Sequence, residues 1–370
     1  LTVSSLLALL FVVVSVLGLV VSWLAASQRV RRERRDFRLA AQSALVEVPR
    51  YLLLGLVPAL VLGPLLIILG LRVSTAFVLA FAVVTAVNVL LPAYSPLLIS
   101  IVPLFSVLLQ ERWGRSLGLV SSKDAAATAI MLVGLLCALN ALACLFTPYH
   151  NSPRLRRRHG RKWAAFSVRQ LLLFPLLVPI PGQLFAALPF SHVLGITGGW
   201  SLALLPVVLG FGFTNRGGYS RHTQHRRAWI EGVTGLLIAA TGCSMVLSGM
   251  SSTLVLLVVA VLGLLAYGLE LFVSRGRYSI GVAAGGVRVV AVLDGTPAAR
   301  MHLHRGDTVL QCNGQDVPTA AALYAATQEL GTFCRLRVQN RDGELRLAET
   351  AIFAGSPHML GIITFAEEEQ

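Results

Sequence analysis

The sequence predicts a polytopic α-helical membrane protein of about nine spans that ends in a compact α+β module. Three observations carry that reading. Hydrophobic residues make up 55% of the 370 and charged residues only 13%, against about 25% charged in an ordinary soluble domain. The apolar residues come in blocks of membrane-spanning length. Over the last ninety or so residues the pattern changes to short strand-like runs set off by Gly-Asp and Asn-Gly pairs.

A bilayer core of about 30 Å takes about 20 apolar residues of helix. On that measure nine blocks qualify, near 4–26, 51–71, 73–91, 94–110, 125–147, 170–189, 193–213, 230–248 and 252–273. The first lacks a basic n-region, is too long for a signal-peptide core and runs into arginines instead of a cleavage site, so it reads as a retained helix. Only the proline-broken "LLPAYSP" separates the third and fourth blocks, and a re-entrant hairpin would also fit there.

Arginines gather in "RVRRERRDFR" (29–38), "RLRRRHGRK" (154–162), "NRGGYSRHTQHRR" (215–227) and "SRGR" (274–277). Short basic loops stay cytoplasmic. Nine spans put four, two and two crossings between successive clusters, so all four share one side. The N-terminus is then outside and the terminal module cytoplasmic. The loop with Arg112, Arg115 and Lys123 falls outside, against the rule. From Gly281 onward the tail holds 7 Arg and 10 acidic residues, a net −3, which leaves +17 of the overall +14 in the membrane part. That excess suits anionic lipid headgroups, at about 1 kcal/mol per arginine near the surface. Nucleic acid is not expected, because no aromatic-interleaved basic module accompanies the charge. The composition divides the chain into a multi-span domain, 1–275, and a terminal domain, 276–370.

Within the tail, "GVRVVAVLD" (286–294) is a buried-strand run, and "CRLRVQN" (334–340) and "ELRLAE" (344–349) alternate. Asp342-Gly343 predicts a tight type I′ hairpin turn between the last two, and Asn313-Gly314 repeats the device after the strand 307–312. Thr296 before Pro297 predicts an N-cap with proline at the first helical position. Thr319 predicts a cap for "AAALYAATQEL", which Gly331 would end. No CxxC occurs among the five cysteines, and neither a disulfide nor a zinc site is expected.

"TPAARMHLHRGDTVLQCNG" (296–314) resembles the core signature of bacterial PDZ domains through Thr296, Pro297, Ala298, Leu303, Gly306, Asp307, Asn313 and Gly314. Two departures stand out: His302 where glycine is usual, and Arg305 where proline is common. The resemblance implies an α+β PDZ-like domain that captures a partner's extended segment beside its longer helix. Two stretches offer the carboxylate loop. Ile280-Gly281-Val282, at the module's start, is preferred, and Leu360-Gly361-Ile362 is the second. On the helix Leu323, Ala326, Thr327 and Leu330 share a face, which serves a groove or simply the core.

Catalytic constellations are missing. There is no HExxH and no G-x-S-x-G, and His192 has no neighbouring Glu. "GWSL" (199–202) lacks a paired histidine on a later span, while His222, His225, His302 and His304 have ligand-like spacing without further ligands. An enzyme, a metal and a cofactor are therefore not expected. Transport would need ionisable residues within spans. Glu270 alone qualifies, close enough to the span's end to snorkel; Asn88, Asn140 and Gln183 read as helix–helix hydrogen-bonding groups.

The whole layout resembles the MinJ family of membrane-embedded division-site factors of Gram-positive rods. "RVRRERRDF" (29–37), "LPAYS" (91–95) and "LLVPIPG" (176–182) carry the likeness outside the tail. What it implies is a non-enzymatic scaffold at septa and poles of the plasma membrane, linking a DivIVA-like protein to a MinD-like ATPase. Self-association stays open. A PDZ-regulated transporter or an intramembrane-protease relative is the alternative.

Overall fold

The computed structural model describes residues 3–37, 55–56, 59–68, 71–91, 93–119, 125–146, 152–158, 161–185, 199–216, 220–248, 253–275, 280–293, 295–328, 333–352 and 358–365. Of the predicted features, Lys123, His192, Leu330 and Gly331 lie outside them.

Among the described residues, seven helices build the first part: α1 (Val3–Phe37), α2 (Ala59–Ile68), α3 (Thr75–Leu90), α4 (Val102–Trp113, preceded by a 3-10 turn, Pro96–Ile101), α5 (Ala125–Phe146), α6 (Ser220–Ser248) and α7 (Thr253–Ser274). Among the described residues, five helical stretches are long and apolar enough to cross a membrane; α2 and α3 are shorter apolar helices. Their outward faces carry exposed Val12, Leu60, Leu236, Leu265 and Phe272. Such a surface is suited to lipid and costly in water. Helices α5 and α6 pack backbone to backbone, since a Cβ on Gly134 would come within 2.3 Å of the Ala239 nitrogen and one on Gly235 within 2.7 Å of the Ala138 nitrogen.

The main departure from the predicted spans lies between α5 and α6. The described parts of the blocks 170–189 and 193–213, expected as helical spans, are strands: β2 (Arg161–Phe185) and β3 (Trp200–Asn215) pair antiparallel from Phe166↔Asn215 to Pro181↔Trp200. β1 (Ser152–Arg158) adds to the open edge of β2 at its first residues. Proline explains the choice. In a helix interior each proline breaks a hydrogen bond and clashes with the preceding turn. In the hairpin Pro175 sits opposite Pro206, and a pair without either N–H must be a non-hydrogen-bonded one. By alternation Pro175, Pro179 and Pro181 all turn toward the unpaired edge of β2, where proline removes an N–H that would otherwise lack a partner. The Pro179 carbonyl on that edge accepts from the Val73 N–H at 3.0 Å.

The outer edge of β3 is closed by a collar of polar groups. Asn140 of α5 pairs with both backbone groups of Gly210: its Oδ1 accepts the Gly210 N–H, and its Nδ2 donates to the carbonyl at 3.1 Å. Gly210 has φ +121°, and a Cβ there would lie 2.0 Å from the Gln170 carbonyl oxygen, so glycine is required. The Tyr94 hydroxyl donates to the Val208 carbonyl, and the Tyr94 carbonyl accepts the Gly212 N–H at 3.0 Å. Arg227 of α6 donates to the Gly212 and Tyr94 carbonyls at 3.4 and 3.3 Å and pairs with Glu270 of α7 at 2.7 Å. Glu231 accepts from Asn140 Nδ2 at 2.8 Å. All of these side chains are buried. Non-helical backbone at membrane depth is tolerated when protein groups satisfy it, and the collar does so for the Val208 carbonyl and for both backbone groups of Gly210 and Gly212. Two expectations are thereby corrected. Glu270 does not snorkel; it is 1% exposed and ion-paired. Asn140 bonds a strand and a carboxylate instead of only another helix.

The tail begins at β4 (Ile280–Gly281), which pairs with Ala164 and Trp163 of β2. Then come β5 (Val287–Arg288), β6 (Ala291–Val292), α8 (Pro297–Arg300), β7 (Thr308–Cys312), β8 (Gln315–Asp316), α9 (Ala320–Gln328), β9 (Phe333–Gln339), β10 (Leu345–Ala351), a 3-10 turn (His358–Gly361) and β11 (Ile362–Ile363). One sheet has the order β10-β9-β7-β5 with β8 beside β7, and β11 pairs with β6. Val289, Leu303, Val309, Leu323, Leu336, Val338 and Ile362 share its core.

Turn chemistry follows the sequence with one change. Asn313 and Gly314 both take positive φ, 48° and 85°, and close β7–β8 as a two-residue turn. At Asp342-Gly343 only the glycine does, with φ 89°. The Asn340 side chain instead receives the Asp342 and Glu344 N–H groups, and Asn340 N–H bonds the Glu344 carbonyl. That is a type I turn followed by a left-handed glycine, not type I′. Thr319 caps α9 through the Ala322 N–H at 3.1 Å. Thr296 stands at the N-cap of α8, but its hydroxyl donates to the Leu293 carbonyl at 2.6 Å and makes no cap bond.

Candidate peptide groove

The Gly-Asp pair of the signature holds the module's central turn. Gly306 N–H bonds the Val289 carbonyl, Val289 N–H returns to the Asp307 carbonyl, and Asp307 Oδ2 accepts from the His304 N–H and from Arg346 at 2.9 Å each. His302, where glycine is usual, keeps a left-handed φ of 53°. The backbone geometry that glycine would favour is retained by a histidine.

The two candidate loops have different places. Ile280 and Gly281 form the strand on β2, with Ile280 buried against Ala164 and Phe166, while Val282 is exposed. Leu360 and Gly361 belong to the 3-10 turn that packs against α9. The preferred loop and the helix face are therefore not brought together; the second loop and the helix face are. Leu360 and Gly361 carry consecutive positive φ values, 58° and 83°, which turn the chain sharply into β11. Gly361 is held by close approach as well: a Cβ would stand 2.4 Å from the Thr296 side chain.

β11 has one edge to spare. The Gly361 and Ile363 carbonyls accept from Leu293 and Val290 of the β6 stretch at 3.0 and 2.8 Å. Ile362 lies opposite Val292 in a non-hydrogen-bonded pair, so its own N–H and C=O point away from β6. An added strand would use that edge. On α9, Leu323 is fully buried in the core, whereas Ala326 and Thr327 are half-buried. The core reading of the helix face holds for Leu323, and Ala326 and Thr327 remain accessible. The sequence carried the signal for the second loop, since "MLGII" has the small residue that such a loop needs. Strand pairing could not be read there, so position at the module's start decided the preference.

Among the described residues no group of three or more His, Cys, Asp or Glu could hold a metal ion. No protein-family model matches the chain. It is 36% identical over 364 residues to a probable cell division topological determinant MinJ of Lacticaseibacillus paracasei, covering 95% of this chain and 94% of that protein. The same figures hold for the corresponding protein of Lacticaseibacillus casei strain BD-II. To the cell division topological determinant MinJ of Bacillus subtilis strain 168 it is 24% identical over 363 residues, 92% of this chain and 89% of the relative. With that similarity running through both the helical part and the tail, the chain belongs to the MinJ family of cell division topological determinants.

Proposed function

We propose that the protein is a non-enzymatic, multi-pass scaffold of the bacterial plasma membrane that helps to place the division site. Its terminal domain, 276–370, is a cytoplasmic PDZ-like module, and the helical domain, 1–275, is its anchor. The module takes an extended partner segment as an added strand on β11, between the Leu360-Gly361 turn and the Ala326–Thr327 face of α9. The observation that carries this reading is the juxtaposition of a left-handed turn, a strand with an outward-facing edge and an accessible helix face. A DivIVA-like polar protein and a MinD-like ATPase are the partners that family membership suggests. The transporter and protease alternative is disfavoured by the use of the buried ionisable groups, since Arg227, Glu231 and Glu270 bond the hairpin collar.

The test is capture and localisation with Ala326→Glu and Thr327→Glu variants of a full-length fluorescent fusion. Wild type is expected at septa and young poles, and the variants are expected to insert normally but spread around the membrane and lose co-purifying division proteins. Uniform wild-type signal would overturn the division role. Unchanged partner capture by the variants would overturn the groove.

A further inference from the structure

The strand order β10-β9-β7-β5 leaves β10 at one end of the tail sheet. Hydrogen bonding between β9 and β10 fixes which groups lie on its outer edge. The Asn340 N–H donates to the Glu344 carbonyl at 2.9 Å, so these two residues form a hydrogen-bonded pair. Antiparallel pairs alternate, and Leu345↔Gln339, Leu347↔Arg337, Glu349↔Arg335 and Ala351↔Phe333 are therefore non-hydrogen-bonded pairs. The other side of β9 agrees, because the Arg335 carbonyl faces away from β10 and accepts the Asn313 N–H at 2.8 Å. Leu345, Leu347, Glu349 and Ala351 thus turn their N–H and C=O groups outward. Of these groups only the Ala351 carbonyl has partners among the described residues, Arg300 Nη2 at 3.1 Å and, more weakly, the Thr350 hydroxyl at 3.4 Å.

Open edges are commonly blunted by proline, a bulge or a charge. β10 has no proline, and its register with β9 runs without a bulge. Arg346 points inward and is held by Asp307 at 2.9 Å and the His302 carbonyl at 2.8 Å, while Glu349 is paired with Arg335. What the edge presents is Leu345 and Leu347, 52% and 64% exposed. Beside Leu347 on β9 stands Arg337, exposed and without a carboxylate partner among the described residues. An apolar edge with unpaired backbone groups is a template for another strand.

The strand that fits it best is β10 itself. Two copies laid antiparallel about a two-fold axis beside Ala348 overlap over the whole of Leu345–Ala351. Leu347 then lies opposite the second copy's Glu349, and Leu345 opposite its Ala351. Across the joint, Arg337 and Leu347 continue into Glu349 and Arg335, and Gln339 and Leu345 continue into Ala351 and Phe333. No like charges face each other, and opposite charges and apolar groups share each row, as stable cross-strand pairing requires. The Arg337 side chain is long enough to reach over Leu347 to the second copy's Glu349. A slip of two residues one way sets Glu349 against its own copy; a slip the other way aligns it with Gln339 instead of Arg337.

We propose that the outer edge of β10 is a self-association surface, through which two copies of this chain join into one continuous antiparallel sheet. β11 belongs to a separate sheet, so the pairing leaves the peptide groove open and stands without it. The two-fold axis runs perpendicular to the joined sheet, and two chains in one membrane need it along the membrane normal.

The experiment uses the full chain in liposomes, with the exposed Cys243 replaced by serine throughout. Differently tagged Leu347→Cys and Glu349→Cys variants are mixed and oxidised. Directly opposed residues stand about 5.5 Å apart at Cα, within disulfide reach, whereas cysteines more than about 7 Å apart cannot close. The mixed disulfide should therefore exceed that of Leu347→Cys with Asp316→Cys, on β8, by about tenfold or more. Dimer affinity is read by energy transfer between labelled copies diluted in lipid. Leu347→Pro removes an N–H from the outer edge alone and leaves the ladder to β9 intact. It takes one donor from each copy and should weaken the dimer about 30-fold, at about fivefold per hydrogen bond. Amide protection in β7 and β9 shows whether that variant is folded; if it is not, Leu347→Lys, which keeps the backbone and charges the edge, takes its place. A selective mixed disulfide, together with a weakened dimer in the folded variant, supports the surface. A wild-type chain that stays monomeric, a folded variant that pairs as wild type does, or a mixed disulfide no more abundant than the control would each overturn it.

Discussion

Replacing Arg227 by methionine tests whether the buried charges serve the hairpin. The Arg227 and Glu270 side chains are 5% and 1% exposed and meet at 2.7 Å. Removing one partner of such a pair leaves the other charge uncompensated, at about 3–5 kcal/mol. Arg227→Met also strips the guanidinium from the Gly212 and Tyr94 carbonyls, whose distances of 3.4 and 3.3 Å mark them as the weaker contacts. They add about 1 kcal/mol between them, for a total near 5 kcal/mol. The double variant Arg227→Met with Glu270→Met removes both charges, and apolar replacement of a whole buried pair is often close to neutral. Only the carbonyl loss then remains, about 1 kcal/mol. At about 2 °C per kcal/mol for a large chain, the single variant should melt about 10 °C below wild type and the double variant about 2 °C below. Thermal unfolding of the full chain in lipid nanodiscs, followed by tryptophan fluorescence, reads both. If the double variant is as unstable as Arg227→Met, or Arg227→Met melts within 2 °C of wild type, the collar does not hold the hairpin as argued.

Three further outcomes concern the tail. Leu323→Glu places a carboxylate in the module's core, where Leu323 is fully buried; a loss of at least about 4 kcal/mol is expected, read as collapse of amide-exchange protection across β7 and β9, whereas Ala326→Glu should keep that protection. Gly361→Ala meets both a left-handed φ and the Thr296 side chain at 2.4 Å, so residues 358–365 should lose roughly 2 kcal/mol of local protection; unchanged exchange there would contradict the turn. His302→Gly relieves a left-handed histidine and should raise the module's stability by about 1 kcal/mol, visible as slower exchange in β7; faster exchange would mean that the imidazole makes a contact worth more than the strain.

Helical and strand-like parts were legible to different depths. Length and hydropathy located α5 and α7 well, because both are continuous apolar runs, but found only the apolar part of α6, which starts ten residues earlier in "SRHTQHRRAW". The same measures misassigned 170–189 and 193–213, since an apolar run long enough to span says nothing of its backbone. The prolines at 175, 179 and 181 held the missing information: their even spacing, four and two residues, suits one edge of a strand, and a helix does not accommodate three of them in seven residues. Arg227 was grouped with the basic loop 215–227, and Glu231, in the first turn of the block 230–248, was not weighed beside Glu270, because the hairpin that gives both of them partners is not visible in the sequence. In the tail, turn residues fixed Asn313-Gly314 and Thr319 correctly, but the groove needed a pairing between β6 and β11, seventy residues apart. No local pattern encodes that separation.

The hairpin also bears on how the terminal module is presented. β2 runs from the helix-packed region, where β3 lies beside it, to the basic end, where β1 and β4 join it. β4 is the first described strand of the tail, so the tail starts as part of the same sheet. Ala164 and Phe166 of β2 form one apolar cluster with Ile280, Val290, Ala291, Ile363 and Phe365. Arg305 stacks over the Phe166 ring at 4.9 Å. A tether of flexible chain would let the module sample many orientations, and a partner would meet its groove at random angles. A shared sheet and a shared apolar cluster give it one seat, and Ile363 sits in that cluster directly after the edge residue Ile362. Whatever docks on β11 is therefore held in a fixed place relative to the β2 strand. Substituting Phe166 by alanine removes the ring under Arg305 and part of the cluster, about 3–5 kcal/mol for a large buried aromatic. The module should then detach without unfolding, so that limited proteolysis cuts between α7 and β4 while β7 and β9 keep their amide protection. Loss of protection throughout the module would show instead that the hairpin is part of its folding core.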